Sequence, residues 1–468
     1  MKDTLWKMSA YEVVSLIRNG QLSPKEVVEA SINRIEMVDE KINALPIHCF
    51  ERALNFANSI DLKKEKENPK SLMGLPIAVK DYNDVGGVVT TFGSKIFANN
   101  IPKFSDATVS KLVRNGANPI AKSNVPEWAG GHTFNPIFGI TRNPFDQTKT
   151  VGGSSGGSAA ALASGQVWLA TGNDLGGSLR TPAAFNNVVG LRPSPGVVPR
   201  GTRLQPFDTL WVEGPMARSV KDVSLMLDAG SGYSPNDPLS FDQDTKSFVD
   251  KLTDYKLPAR ISYSENLGIV PMSKEITDVT NKAIRKFKHI GIDVSEKIPN
   301  FLNVLNSFRT LRGVLLATML DDLIDEHRNE ILKDIIENAE VGHKVSNREI
   351  IDAEKTRKSL VLDMQVFFED NDFLICPSTS VAPFNIEKPF VTEIDGHQCE
   401  TYIDWFAITF ALTMTGCPVV SLPCGFNKDG LPVGIQVLGK PRQEAKLLSF
   451  CYQLEKLFDV SKHVPLEI

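Results

Sequence analysis

The segment from residue 148 to 199 constrains the fold more than any other part of the chain. Glycine, serine and alanine dominate it, yet apolar runs alternate with the glycines, so it is not a flexible linker. Residues 158–165 predict a helix with a glycine stop, residues 167–171 a strand, residues 174–178 a tight turn and residues 182–185 the start of another helix. This alternation predicts an α/β fold with a mostly buried sheet.

The flanking regions carry further signals for helices and strands. Ser9 and Ser23 each stand three residues before a glutamate, which predicts two capping boxes at the starts of packing helices. Residues 74–81 form a short apolar run that predicts a buried strand ending at the charged Lys80. Residues 240–400 are richer in charge, and we expect them to form helices over the sheet.

Composition excludes several classes of function. The 468 residues are 42% hydrophobic and 23% charged, which is typical of a globular chain with a large core. With 51 Lys and Arg against 56 Asp and Glu, the basic surface of a nucleic-acid or anionic-lipid binder is missing. Six scattered cysteines without a CxxC pair predict reduced thiols, and the first residues lack the apolar run of a signal peptide. We therefore expect a cytoplasmic protein with a small-molecule partner, without nucleic acid or membrane.

One uncharged stretch, residues 406–426, is long enough to span a membrane. Its second half contains four residues that would interrupt a helix: Gly416, Pro418, Pro423 and Gly425. A short buried helix followed by a buried strand at residues 418–422 is the prediction.

The densest chemical signal is the run GGSSGGS at residues 152–158. Glycines let the backbone approach a substrate, and serine hydroxyls can attack or pass protons. A phosphate-binding loop is excluded because Ser158 stands where the GxxxxGK pattern requires lysine. A GxSxG nucleophile elbow centred on Ser154 or Ser155 would need a strand directly before it, whereas residues 143–150 are predicted to be polar loop.

The base that would activate such a serine is not evident among the histidines. An elbow also needs a downstream acid and histidine, and none of the seven histidines lies in a motif-like setting. Lysine can serve only where burial or a neighbouring positive charge lowers its pKa from about 10.4. Lys80 is placed for this at its strand end, although pairing with Asp81 or Asp84 is equally compatible with its position.

Three blocks, in chain order, resemble the core motifs of the amidase signature family: GLPIAVKD at 74–81, GGSSGGSAAA at 152–161 and DLGGSLR at 174–180. The similarity continues from the N-terminal helices to residue 436. It implies a single α/β domain over residues 1–468, with a mixed central sheet covered by α-helices on both faces. The family core would span residues 70–200, and a more variable helical region on the substrate side would span residues 240–400.

The resemblance also implies a Ser-Ser-Lys triad. Ser178 would be the acylated nucleophile, Ser154 a bridging serine that follows a cis peptide bond, and Lys80 the general base. Neutral Lys80 would draw a proton through Ser154 while Ser178 attacks an amide carbonyl, and water would then hydrolyse the acyl-enzyme by the same relay.

Other positions follow from the same resemblance and from the turn itself. Four consecutive backbone N–H groups could form an oxyanion hole: Leu175, Gly176, Gly177 and Ser178. We interpret Asp174 and Arg180 as scaffolding partners of the turn. Ser155 and Ser158 would bond loop backbone or tune Lys80, with simple helix capping as the alternative.

Candidate pocket residues are less specific. A pocket for an aryl or aliphatic acyl group could be lined by Trp128, Gly130, Gly131 and Thr133. Trp405 and Phe406, at the start of the uncharged segment, are further candidates. All of these residue types are also common in plain cores.

The expected activity is hydrolysis of a carboxylic amide to carboxylate and amine or ammonia, without metal or cofactor. One alternative is the A subunit of a glutamyl-tRNA(Gln)/aspartyl-tRNA(Asn) amidotransferase, which releases ammonia from glutamine. Asp404 and Gly416 are further apart than in that protein, and residues 309–313 depart from its pattern, which favours a free-standing hydrolase. A catalytically inactive scaffold is a minor alternative, and a homodimer is compatible with all three.

Overall fold

The computed structural model describes residues 2–201, 205–243, 246–254 and 260–460. Its α-helices are α1 (Ala10–Arg18), α2 (Pro24–Ile42), α3 (Phe50–Ser59), α4 (Leu62–Glu67), α5 (Ala107–Arg114), α6 (Gly156–Ala163), α7 (Arg180–Phe185), α8 (Val220–Gly230), α9 (Lys274–Arg285), α10 (Val304–His327), α11 (Lys333–Lys344), α12 (Asn347–Asp370), α13 (Ala407–Thr413) and α14 (Glu444–Phe458). Its strands are β1 (Ile47–His48), β2 (Pro76–Lys80), β3 (Asn118–Ser123), β4 (Phe134–Asn135), β5 (Gly139–Ile140), β6 (Arg142–Asn143), β7 (Asp146–Thr150), β8 (Leu169–Asp174), β9 (Val189–Arg192), β10 (Val212–Ala217), β11 (Arg260–Tyr263), β12 (Asp293–Ser295), β13 (Phe373–Pro377), β14 (Glu393–Ile394), β15 (His397–Gln398), β16 (Val419–Phe426) and β17 (Pro432–Leu438).

One mixed sheet of 11 strands organises the fold, in the order β1-β3-β2-β8-β10-β9-β16-β17-β13-β11-β12. Strand β2 is parallel to β3 and β8, and β11 is parallel to β12 and β13, whereas the other neighbours are antiparallel. Every residue of β2, β8 and β10 is buried, and helices flank the sheet. The predicted α/β fold with a mixed central sheet is confirmed.

The N-terminal helices begin as their sequence predicts. The hydroxyls of Ser9 and Ser23 accept hydrogen bonds from the backbone N–H groups of Glu12 and Glu26, and both glutamates bond back to the capping residue. These reciprocal bonds satisfy donors that a helix start leaves unpaired. Both predicted capping boxes are confirmed.

The uncharged stretch at residues 406–426 also folds as predicted. It forms the short buried helix α13 and the strand β16, which lies between β9 and β17 in the sheet. Across the described part of the chain, none of the helices combines the length and the apolar character that crossing a bilayer requires.

The prediction of a polar loop at residues 143–150 was wrong. Strands β6 and β7 form a hairpin there, with Arg142 opposite Thr150. The Asp146 carboxylate accepts hydrogen bonds from the backbone and hydroxyl of Thr148, which fixes the start of β7. A hairpin outside the central sheet can carry polar residues on both faces, so its sequence lacks the alternation that predicts a strand.

Two further predictions needed correction. Residues 240–400 contribute β11, β12 and β13 to the sheet besides the expected helices, and β11 and β12 are short and near its edge, where polar residues are tolerated. Strand β8 extends to Asp174 because its pairing with β10 continues to Val212, so Asp174 ends the strand instead of opening the turn.

Gly190 in β9 allows the segment after Ser178 to lie against the sheet. A Cβ atom at this position would lie 2.3 Å from the carbonyl oxygen of Leu179, closer than van der Waals contact permits. Gly190→Ala should therefore lower the free energy of unfolding by about 1–3 kcal/mol, measured by denaturant titration. In the control Gly230→Ala the new Cβ would meet only the end of the Leu112 side chain, at 3.3 Å. If Gly230→Ala lowered the free energy of unfolding as much as Gly190→Ala, the close contact at Gly190 would not explain the effect.

Candidate active site

Lys80 is completely buried at the end of β2. Its backbone N–H donates to the hydroxyl of Thr171 on the neighbouring strand β8 at 2.9 Å. Its Nζ atom lies 2.7 Å from Ser154 Oγ, 2.8 Å from Ser155 Oγ and 2.5 Å from Asn173 Oδ1. The amine is therefore surrounded by two hydroxyls and one amide oxygen.

The surroundings of Lys80 make its neutral form accessible. Burial lowers the pKa of Lys80 to about 7, against the opposing influence of the Glu213 and Asp174 carboxylates. The pairing with Asp81 that strand-end spacing allowed is not formed, because Asp81 binds Lys122 Nζ at 2.7 Å. A substantial fraction of Lys80 can thus be unprotonated near neutral pH and accept a proton from a hydroxyl.

Asn173 and Glu213 extend this row of side chains across the sheet. They are directly opposite each other on β8 and β10, so their side chains lie on the same face. Burial raises the pKa of Glu213 to about 7, and Asn83 Nδ2 donates to its carboxylate at 3.2 Å. Sequence reasoning did not single out Asn173 or Glu213, although a carboxylate within an otherwise apolar strand is a signal that could have found Glu213.

The two serine segments meet beside Lys80. The Gly153–Ser154 peptide bond is cis, as the resemblance implies, and Ser154 is buried. The Ser155 N–H donates to the carbonyl oxygen of Ser178 at 3.3 Å, and Ser178 itself is partly exposed. The structure thus brings the two serine segments together next to one amine.

Asp174 holds the turn that carries Ser178. Its carboxylate binds Arg180 Nη2 at 2.9 Å and Arg192 Nη1 at 3.2 Å, and all three side chains are fully buried. It also accepts the backbone N–H groups of Gly177 at 3.0 Å and Leu179 at 3.1 Å. Burial disfavours the charged carboxylate, but the two guanidinium groups outweigh it and hold the pKa of Asp174 well below its ordinary value.

Arg180 connects this turn to distant parts of the chain. Its Nη1 atom donates to Gln436 Oε1 on β17 at 2.7 Å, and its Nη2 atom donates to Thr413 Oγ1 on α13 at 2.9 Å. Arg192, which sequence reasoning did not assign to the site, lies at the end of β9. The scaffolding interpretation of Asp174 and Arg180 agrees with these contacts.

A narrow cavity lies over Ser178. Its lining residues are Gly130, Gly131, Gly153, Leu175, Gly176, Gly177, Ser178, Thr181, Arg312, Trp405 and Phe406. The expected pocket residues Gly130 and Gly131 are among them. Thr133, the third of the expected pocket residues, instead donates to the Gly152 carbonyl at 2.8 Å and does not line this cavity. Ser158 bonds to the Ser123 hydroxyl and to the Thr171 carbonyl, and it does not line the cavity either.

A second cavity of about 250 Å³ lies on the Asn173 side of Lys80. Its walls are mainly apolar and include Tyr82, Phe92, Phe97, Trp128, Trp211, Leu316 and Leu320. The polar and charged lining residues are Asn83, Asp106, Asn173, Arg200 and Glu213. Trp128 stacks on Phe92 with ring centroids 5.0 Å apart. Trp128 is therefore placed in this aromatic cavity and not in the one over Ser178.

Removing the Asp174 charge should strongly destabilise the protein. Asp174→Asn leaves two buried guanidinium groups without their shared carboxylate, which is expected to lower the free energy of unfolding by about 3–5 kcal/mol in denaturant titrations. The matched control Asp278→Asn breaks an exposed pair with Lys274 and should change stability by less than about 0.5 kcal/mol. Equal effects of the two variants would show that Asp174 does not hold the turn.

Comparison with known proteins agrees with this architecture. The family model named Amidase matches residues 26–448. An acylamidase of Rhodococcus erythropolis is 32% identical, with 94% of this chain and 93% of the relative covered. The A subunit of the glutamyl-tRNA(Gln) amidotransferase of Persephonella marina is 31% identical, with 98% and 99% covered. The crystal structure of a bacterial aryl acylamidase of the amidase signature family superposes with a TM-score of 0.90 at 27% identity, over 98% of this chain and 99% of that one. The chain therefore belongs to the amidase signature family and is a hydrolase of carbon–nitrogen bonds.

Proposed function

We propose that the enzyme hydrolyses a linear carboxylic amide through an acyl-enzyme on Ser178, with Ser154 relaying protons to Lys80. The observation that carries this proposal is the buried Lys80 Nζ atom, 2.7 Å from Ser154 Oγ, with a pKa lowered to about 7. A charged lysine could not accept a proton, whereas a neutral amine in contact with a hydroxyl can.

The reaction follows from this arrangement. Neutral Lys80 accepts the proton of Ser154, Ser154 takes the proton of Ser178, and Ser178 Oγ attacks the amide carbonyl carbon. The proton then returns through the same groups to the leaving nitrogen as the C–N bond breaks. Water repeats the relay, releasing the carboxylic acid and regenerating Ser178.

Backbone donors of the turn would stabilise the oxyanion of each tetrahedral intermediate. The N–H group of Gly177, one of four expected donors, already bonds to Asp174. The remaining donors are the N–H groups of Leu175, Gly176 and Ser178, which have no hydrogen-bond partner among the described residues. The cavity over Ser178 is lined by these same residues, and donors held rigidly there need little reorganisation during the reaction.

The mainly apolar walls of the aromatic cavity favour a substrate that carries an apolar or aromatic group. The cavity adjoins Asn173, whose side-chain oxygen contacts Lys80, so a ring or alkyl chain bound there would lie close to the catalytic amine. Aromatic walls bury such groups favourably and orient them by stacking.

A second candidate role is that of an amidotransferase component that releases ammonia from glutamine. It is favoured by the 31% identity over 98% of the chain to the Persephonella marina protein. An activity assay of the isolated chain distinguishes the two roles. A free-standing amidase hydrolyses amides without other proteins, whereas an amidotransferase component would need partner proteins and charged tRNA to transfer ammonia from glutamine. An inactive scaffold is disfavoured because Lys80, Ser154 and Ser178 are all present.

Removing the nucleophile or the base should abolish turnover. Ser178→Ala and Lys80→Met are each expected to lower kcat for amide hydrolysis by about 10³-fold or more, measured with a panel of amides. A fluorophosphonate should label the wild type, detected by intact mass, but not Ser178→Ala. The control Ser224→Ala removes a buried hydroxyl that bonds to the Val220 carbonyl in α8, away from the site, and should keep normal activity. Labelling of Ser178→Ala would refute this residue as nucleophile.

The pH dependence should report the interaction between Glu213 and Lys80. Activity requires neutral Lys80, so kcat/KM should rise with pH through a midpoint near 7. The Glu213 carboxylate raises the pKa of Lys80, so Glu213→Gln should move this midpoint to lower pH. Glutamine retains an oxygen for Asn83, which limits the structural change. If the midpoint of Glu213→Gln moved to higher pH instead, the rise of kcat/KM with pH could not be assigned to Lys80.

A further inference from the structure

Arg312 is a cationic residue in the cavity over Ser178 that the proposed mechanism does not use. It lies on α10 and shares the cavity with Ser178, Gly176 and Trp405. Only 8% of the residue is exposed to solvent. A nearly buried guanidinium group therefore stands in the space where the substrate of Ser178 would bind.

The hydrogen-bond partners of Arg312 are uncharged. Its Nη1 atom donates to Asn338 Oδ1 at 2.7 Å, and its Nη2 atom donates to the hydroxyl of Tyr402. The nearby carboxylate of Asp404 is already bound by Arg309 at 2.6 Å and by the Thr401 N–H at 2.9 Å. Among the residues that the structure describes, no carboxylate lies within 4.0 Å of the Arg312 guanidinium.

An uncompensated buried cation is unfavourable, and a bound anion would relieve this. Guanidinium carries five N–H donors in a planar fork that matches a carboxylate, and the two bonds found here leave donors unused. The neighbouring Trp405 and Phe406 make the wall apolar, which strengthens a charge–charge contact by limiting water access.

We infer that Arg312 binds a carboxylate of the substrate, so that the preferred substrates are amides carrying an anionic group a few carbon atoms from the scissile carbonyl. This inference rests on the proposed function of Ser178. It adds a specificity residue to the site: Ser178 reacts with the amide carbonyl, and Arg312 fixes the other end of the same molecule in the shared cavity.

The purely structural alternative assigns Arg312 only to packing. The residue connects α10 to Asn338 on α11 and to Tyr402, so its loss could loosen these elements without any substrate contact. The two roles differ in substrate dependence, because a packing defect lowers the rate with every amide, whereas a lost anchor affects only anionic ones.

The test compares two amides of equal chain length, neutral pentanamide and anionic glutaramate. Wild type should show a kcat/KM for glutaramate at least about tenfold above that for pentanamide. Arg312→Gln should lower the glutaramate value by about 10- to 100-fold, mainly through KM, and leave the pentanamide value within about threefold. The control Arg328→Gln removes the same charge from an exposed position near the end of α10 and should keep the wild-type ratio.

A binding measurement makes the test independent of turnover. Calorimetry should detect glutaramate binding to Ser178→Ala, and binding should weaken at least about tenfold in the double variant with Arg312→Gln. Equal losses for both amides in Arg312→Gln, no preference for glutaramate in wild type, or unchanged binding in the double variant would each overturn the anchor. If one of these results is found while wild type still hydrolyses pentanamide, the proposed amidase function stands and only the role of Arg312 is refuted. If glutaramate binds but no amide is hydrolysed, the proposed amidase function is refuted and the role of Arg312 in binding stands.

Discussion

The burial of one amine is the constraint on which the site depends. Lys80 ends β2, the third strand from one edge of the 11-stranded sheet, and its Nζ atom is bounded by Ser154, Ser155 and Asn173. A fully charged ammonium would be unfavourable there, because the contacting oxygens are neutral and water is excluded. The carboxylates of Glu213 and Asp174 favour the charged form, so the pKa is poised near neutrality and is not driven to an extreme.

The rest of the fold keeps the serines in place around this amine. Asp174, the last residue of β8, binds two buried arginines and accepts hydrogen bonds from two backbone N–H groups of the turn. These bonds hold the turn of Ser178 against the end of β8. Arg180 extends this network to α13 and β17, far along the chain. Residues separated by more than 200 positions thus help to fix the geometry of this turn.

The sequence predicts those features whose cause is local. The capping boxes, the strand that ends at Lys80 and the interrupted helix near Gly416 each follow from neighbouring residues, and the structure confirms them. The hairpin of β6 and β7 and the short strands β11 and β12 near the sheet edge were missed because polar strands lack an apolar pattern. The alignment of Asn173 with Glu213 depends on strand order, which no local signal reveals, so their proximity to Lys80 needed the structure.

Direct observation of the Lys80 protonation state tests the central claim of this mechanism. In protein labelled with 15N at the lysine side chains, the Nζ resonance of Lys80 can be identified by its absence from Lys80→Met and followed as a function of pH. The buried environment predicts a titration midpoint near 7. A midpoint close to the value of about 10.4 found for exposed lysines would mean that the amine stays charged at neutral pH, and Lys80 could not be the base.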